Sequence, residues 1–335
     1  ARRHHDRIHR GQRVTPLKDD FAKGQAESAG AADSAGSGGD SADLGGSEGL
    51  AESADSAGSE GFAWSEDLAG SAGSAGSSSA FAGEGAVPAS PARVKLPTPW
   101  VTNTLCVLMI ATWCLEMLDL IGIIPWGVIQ NFAFVPILGM FEPWRFLTGA
   151  FLHSYPTPFH LAFNVWALWV VGRQLEPLLG RLRMLLAFVI FAVGGLLAQC
   201  LTVFFNHNSW VTPVVGASGA VFGFFGMVLA IQKSMRIPAA QMATLIGVNF
   251  VFGFVFPGIA WVAHLGGLLL GLVLGFWTGH RLRLHDRALA QGQPRPSPWP
   301  DLAVYGGLML ALLALNWLFY HSTYTTIYSI LGFTF

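Results

Sequence analysis

Val214-Val215-Gly216-Ala217-Ser218-Gly219-Ala220-Val221-Phe222-Gly223 sets a serine among glycines at the start of an apolar helix. Forty-six residues beyond that serine, Ala263-His264-Leu265-Gly266-Gly267 opens a second apolar helix with a lone histidine. A hydroxyl and an imidazole are both costly inside long hydrophobic spans unless they are partnered. Each supplies the partner the other lacks. The pair reads as a serine nucleophile and its general base, held inside a membrane protein.

The chain around this pair has two unlike parts. Over all 335 residues, 52% are hydrophobic and 12% charged. Residues 1–96 are mostly Ser, Ala, Gly, Asp and Glu, and residues 97–335 hold nearly all the Trp, Phe, Leu and Val. The first part opens basic, with Arg2, Arg3, Arg7, Arg10, Arg13 and Lys18 among His4, His5 and His9. Those histidines have neither cysteines nor a fixed frame beside them, so no metal site is expected. A recurring Ser-Ala-Gly follows, at Ser28, Ser34, Ser56 and Ser71. Such a composition buries too little apolar surface to offset chain entropy, and a disordered cytoplasmic tail over 1–96 is expected. No stretch before residue 97 has the apolar core of a signal peptide. Cys106, Cys114 and Cys200 lie in hydrophobic spans with no ligand spacing, and read as buried inert thiols.

From Pro99 onward the chain reads as apolar spans of bilayer length. They run over 100–124, 159–175, 184–205, 214–231, 238–256, 259–278 and 302–319. The fold class is therefore all-α, a polytopic membrane helical bundle. Its parts are a six-span core over 97–280, a cytoplasmic linker over 281–300, and a seventh transmembrane helix with an outer tail over 301–335. Charge orients the bundle. Arg93 and Lys95 precede the first span, and Arg173, Arg181 and Arg183 lie between the second and third. Lys233 and Arg236 lie between the fourth and fifth, and Arg281, Arg283, Arg287 and Arg295 between the sixth and seventh. All fall on one side, and Arg145 alone on the other. The basic side marks the cytoplasm, which places the N-terminus inside and the C-terminus outside.

The second, fourth and sixth spans then all begin at the outer face. Ser218 and His264 sit near those beginnings, roughly 10 Å deep at ~1.5 Å per residue. Gly219 and Gly223 on one helix, and Gly267, Gly271 and Gly275 on the other, make small faces that permit close approach. Matched depth and close approach would bring the hydroxyl within reach of the imidazole. His160 and Asn164, four apart, share one face of the second span near its outer end. They are the candidate donors for the oxyanion of a tetrahedral intermediate. The alternative reading is of packing glycines with incidental polar residues; matched depth and the His160–Asn164 pair argue against it.

These residues together resemble the rhomboid family of intramembrane serine proteases. Gly216-Ala217-Ser218-Gly219 is similar to its G-x-S-G motif, and Ala263-His264 with Gly266, Gly267 and Gly271 to its A-H-x-G-G-x-x-x-G helix. His160 and Asn164 match its H-x-x-x-N, Trp144-Arg145 its first-loop W-R pair, and Gly172, Glu176 and Gly180 the turn after the second span. The resemblance covers about residues 98–280. It implies that Ser218 is the nucleophile and His264 the base, with His160, Asn164 and the Ser218 backbone N–H forming the oxyanion hole. It also implies that Phe222 packs on the histidine and that Gly216, Gly219 and Gly267 support the site. His153 and His160 are seven apart where the family commonly shows five; Tyr155-Pro156-Thr157-Pro158 looks like an insertion, which leaves the role of His153 open. The seventh span looks like the extra C-terminal helix that some members carry.

The implied activity is serine endopeptidase cleavage of transmembrane segments near the outer face, without a carboxylate or any cofactor. Glu116 and Asp119 read as structural. A soluble hydrolase elbow is excluded, since Ala220 stands where G-x-S-x-G needs glycine. The expected partners are single-span membrane-protein substrates and the lipid bilayer, with no nucleic acid; the sequence assigns no oligomeric state. The expected location is the bacterial plasma membrane. Two other classes compete with this reading. A catalytically inactive relative that binds membrane clients typically lacks the serine or the histidine, and both are present. A transporter would show repeats or midplane polar residues, whereas the polar residues here cluster near one surface.

Overall fold

The computed structural model describes residues 98–153, 158–256 and 258–332. The expectations for residues 1–96, and for most of the suggested insertion at 155–158, lie outside the described residues. Where the sequence is continuously apolar it forms helices, because a helix satisfies every backbone polar group within its own segment. Among the described residues there are seven helices of at least sixteen residues. They are α1 (Trp100–Leu120), α2 (Phe159–Leu179), α3 (Arg181–Cys200), α4 (Ser218–Met235), α5 (Ala240–Val255), α6 (Trp261–Ala290) and α7 (Trp299–Ile330). Five of them, α1, α3, α4, α6 and α7, are long and apolar enough to cross a membrane. The 21 residues of α2 would also reach across, at ~1.5 Å each, but His160, Asn164, Arg173 and Glu176 lower its hydropathy. The 16 residues of α5 make it the shortest.

α4 is the centre of the bundle. In its most apolar stretch 78% of residues are buried, against 17% in α7. It packs most extensively on α6, and α3 closes on both. The glycines explain the intimacy of this contact. A Cβ on Gly267 would overlap the Gly219 carbonyl oxygen, and one on Gly271 the Gly223 carbonyl oxygen. One on Gly275 would lie 2.5 Å from the Met227 oxygen. The sixth-span glycines thus ride along the backbone of α4 at every turn. At one more turn Gly279 sits against Ser234, so the small face is longer than the three glycines read from sequence.

The loop between α1 and α2 is a folded piece with short helices at Val128–Phe132 and Arg145–Thr148. Arg145 is 3% exposed and organises it. Its guanidinium donates to the carbonyls of Ala133 (2.7 Å) and Gln130 (3.0 Å) and pairs with Glu142. Asp119 accepts from the backbone N–H groups of Trp126, Gly127 and Val128. Glu116 accepts from the N–H of His153 at 3.0 Å. Both carboxylates are therefore structural. At the opposite end of α1, Glu176 of α2 accepts from the N–H of Val101 (2.9 Å), and from the N–H and hydroxyl of Thr102 (2.8 Å each). These are orphan donors of a helix start, satisfied by another helix. Gly172 makes room for Thr102, and Gly180 turns the chain at φ 78°.

Several boundaries differ from the sequence reading. α4 begins at Ser218, not Val214, because Val214 forms an isolated antiparallel bridge with Phe134 and Gly216 has φ 119°. The interval 281–300 is only partly linker: α6 continues to Ala290, since residues 281–291 contain no glycine or proline. α7 starts at Trp299, with Pro300 in the first turn where no N–H is needed, and runs to Ile330. Its first turn is tied down by Asp301, which is 6% exposed. That carboxylate accepts from Arg183 Nη1 (2.7 Å), Arg281 Nε (2.9 Å) and Trp277 Nε1 (3.0 Å). Cys106 and Cys200 are buried, but Cys114 is exposed. It lies on the outward face of α1, where Ile110 and Leu115 are exposed too.

Candidate active site

The site forms where a short loop enters α4. Phe134 and Val214 exchange backbone hydrogen bonds at 3.1 and 2.7 Å, and Gly216 N–H donates to the Gly149 carbonyl at 2.9 Å. These bonds tie the serine loop to the folded first loop. Gly216 is required twice over: its φ of 119° disfavours an L side chain, and a Cβ would lie 2.7 Å from Cε1 of His160. The next turn of the chain starts the helix, so Ser218 is its first residue, with Ala217 at the cap. The Ser218 N–H is one of the four that a helix start leaves without an intrahelical acceptor.

His264 reaches Ser218 from the fourth residue of α6. Its Nε2 lies 2.7 Å from Ser218 Oγ. If Nε2 accepts the serine proton, the neutral ring carries its own proton on Nδ1. That atom is buried and has no hydrogen-bond partner among the described residues. Among the described residues no carboxylate meets the imidazole to complete a triad. Phe222, one turn beyond the serine, stacks on the imidazole at 4.3 Å between centroids and 7° between planes. Gln199 of α3 accepts from the Ala263 N–H at 3.2 Å and so holds the first turn of α6.

His160 faces the serine from α2, against Gly216. Asn164, 4% exposed, donates from Nδ2 to the His160 carbonyl at 2.8 Å, which leaves its second N–H for another acceptor. Ser218, His264 and His160 are thus brought together around one loop, with Asn164 one turn behind His160. Gly219 and Gly267 meet directly beneath them.

Sequence reasoning left His153 open and did not find Gln199. His153 is fully buried, and its ring meets that of His160 edge to face at 5.2 Å. Its Nδ1 lies 3.0 Å from the Phe151 carbonyl. Burial pushes this imidazole down to about 4, with the neighbouring His160 adding to the effect and the Phe151 carbonyl opposing it. It is therefore neutral at physiological pH and wedges His160 from behind. No motif signals Gln199, because its role depends on where α3 meets α6.

A rhomboid-domain family model matches residues 140–281, which hold the serine, both histidines of the site and Asn164. The chain is 34% identical over 140 residues to the rhomboid YdcA of Bacillus subtilis, covering 67% of that protein. It belongs to the rhomboid family. It is also 32% identical over 184 residues to the rhomboid protease GluP of Bacillus subtilis, covering 53% of this chain and 32% of GluP. With the rhomboid protease GlpG of Yersinia pestis it shares 30% identity over 141 residues, 40% of this chain and 48% of GlpG. The chain thus spans about a third of GluP and about half of GlpG. Family and apolar helices together make this rhomboid an integral membrane protein.

Proposed function

We propose that this rhomboid is an intramembrane serine endopeptidase working through a Ser218–His264 dyad. The observation that carries the reading is the 2.7 Å contact between Ser218 Oγ and His264 Nε2 at the junction of two apolar helices. Ser218 Oγ attacks the scissile carbonyl carbon while His264 Nε2 takes its proton. The carbonyl oxygen becomes an oxyanion facing the Ser218 N–H, the free N–H of Asn164 and the His160 ring. The positive end of the α4 dipole favours the same charge. His264 returns the proton to the leaving amine as the C–N bond breaks. Water, deprotonated by His264, then hydrolyses the acyl ester and frees the serine.

Ser218, His264, His160 and Asn164 all lie in the first turns of their helices. The basic segments lie at the opposite ends, so the site opens to the non-cytoplasmic side. A substrate span must unwind locally there, since an intact helix hides each carbonyl in its own hydrogen bonds. The test uses purified protein in liposomes with a single-span reporter. The wild type should cut near the outer end of the reporter span, as shown by sequencing both product ends, and Ser218→Ala should not cut. A cut at the cytoplasmic end would overturn the topology. Intact reporter with the wild type would favour a client-binding role instead.

A further inference from the structure

A cavity of about 250 Å³ opens at the far end of the bundle from the dyad. From His264 to Arg281 along α6 is roughly 26 Å at ~1.5 Å per residue. The cavity exceeds many times over the ~10–15 Å³ needed to hold one water. Its lining is strongly basic. Arg183, Arg281 and Arg295 face it with Asp301 as the sole acid, so the net charge is +2 with His285 counted neutral. Asp301 already accepts from Arg183, Arg281 and Trp277. Among the described residues Arg183 keeps Nε and Nη2 uncommitted, and Arg281 keeps Nη1.

A second observation points the same way. Tyr305 lines this cavity and is 1% exposed, yet its hydroxyl makes no hydrogen bond of normal geometry among the described residues, with only the Thr278 hydroxyl beside it. A buried hydroxyl without a partner costs about 1–3 kcal/mol, so one that persists suggests an absent acceptor. Guanidinium forks and a phenol are matched to phosphate oxygens. The surroundings indicate which phosphate. Leu179 and Leu282 wall the cavity, and Leu182 and Trp299 beside it are 58% and 73% exposed. Exposed leucine and tryptophan next to basic residues are the pattern of a bilayer interface.

We propose that this cavity is a phosphate site that takes the headgroup of an anionic phospholipid. The lipid joins the C-terminal end of α2, the start of α3, the end of α6 and the first turn of α7. It would thereby fasten the seventh helix to the core, apart from the dyad.

The test is titration of the detergent-solubilised full chain, followed by calorimetry. The ligands are phosphatidylglycerol, diacylglycerol of the same chain length, and inorganic phosphate. Phosphatidylglycerol should bind saturably and diacylglycerol should not. The double variant Arg295→Gln/His285→Gln, whose side chains make no hydrogen bonds among the described residues, should bind at least about tenfold more weakly. Tyr305→Phe, which preserves volume, should weaken binding several-fold. If millimolar inorganic phosphate fails to compete, the source is the lipid; if it binds as tightly, the site serves free phosphate. Equal binding of diacylglycerol and phosphatidylglycerol, or unchanged affinity in both variants, would overturn the proposal.

Discussion

The His160 imidazole lies against the α-carbon of Gly216, so close that a Cβ there would come within 2.8 Å of its Nε2. The residue that shapes the serine loop and the residue proposed to face the oxyanion are thereby one packing unit. Gly216→Ala must displace His160 or distort the loop, and misplacement by an ångström can cost about 10²-fold in rate. We expect kcat to fall by about that factor and the fold to lose about 1–3 kcal/mol from the strained φ, as read by reporter cleavage alongside an unfolding scan.

Phe222 stacks on His264, the proposed general base. A stacked aromatic pair contributes about 0.5–1.5 kcal/mol, so loss of the ring should cost roughly two- to tenfold in kcat. Phe222→Ala should show this drop, and Phe222→Tyr should restore most of it. A Phe222→Ala rate equal to wild type would mean that His264 is positioned without the stack.

Asn164 tests the oxyanion assignment. One of its N–H groups serves the His160 carbonyl, and the other is available. Asn164→Ala should lower kcat by up to about 10²–10³-fold without abolishing it, because the Ser218 N–H and His160 remain. Unchanged rates in both Asn164→Ala and His160→Ala would remove α2 from the chemistry.

The glycine seam makes a stability prediction with an internal control. A Cβ at Gly271 would overlap the Gly223 carbonyl oxygen, whereas one at Gly247 meets nothing within 4 Å. Gly271→Leu should fail to yield a folded monodisperse protein on size-exclusion chromatography. Gly247→Ala should behave as wild type.

These contrasts explain what was legible in the sequence. Ser218 and His264 stood out because polar groups in apolar spans need partners, and the glycines gave the face on which the two helices meet. Helical periodicity placed His160 and Asn164 on one face. The start of α4 was misread by four residues, because the Phe134–Val214 bridge pairs segments eighty residues apart and Val214 looks as apolar as the helix that follows. Arg183 and Arg281 read as charges between spans and Asp301 carried no signal, and their convergence depends on three helices arriving at one place. Gln199 stayed hidden and the role of His153 stayed open for the same reason, since their partners are set by packing and not by local sequence.

The central claim is that His264 activates Ser218 inside the helical bundle. It is tested most directly by treating the purified protein with a fluorophosphonate. A serine oxygen made nucleophilic by a base attacks the phosphorus and expels fluoride, leaving a stable adduct. Mass spectrometry should locate that adduct on the peptide carrying Ser218 in the wild type, and find none in Ser218→Ala or in folded His264→Ala. An unmodified Ser218 in the wild type, or undiminished labelling in His264→Ala, would contradict the account.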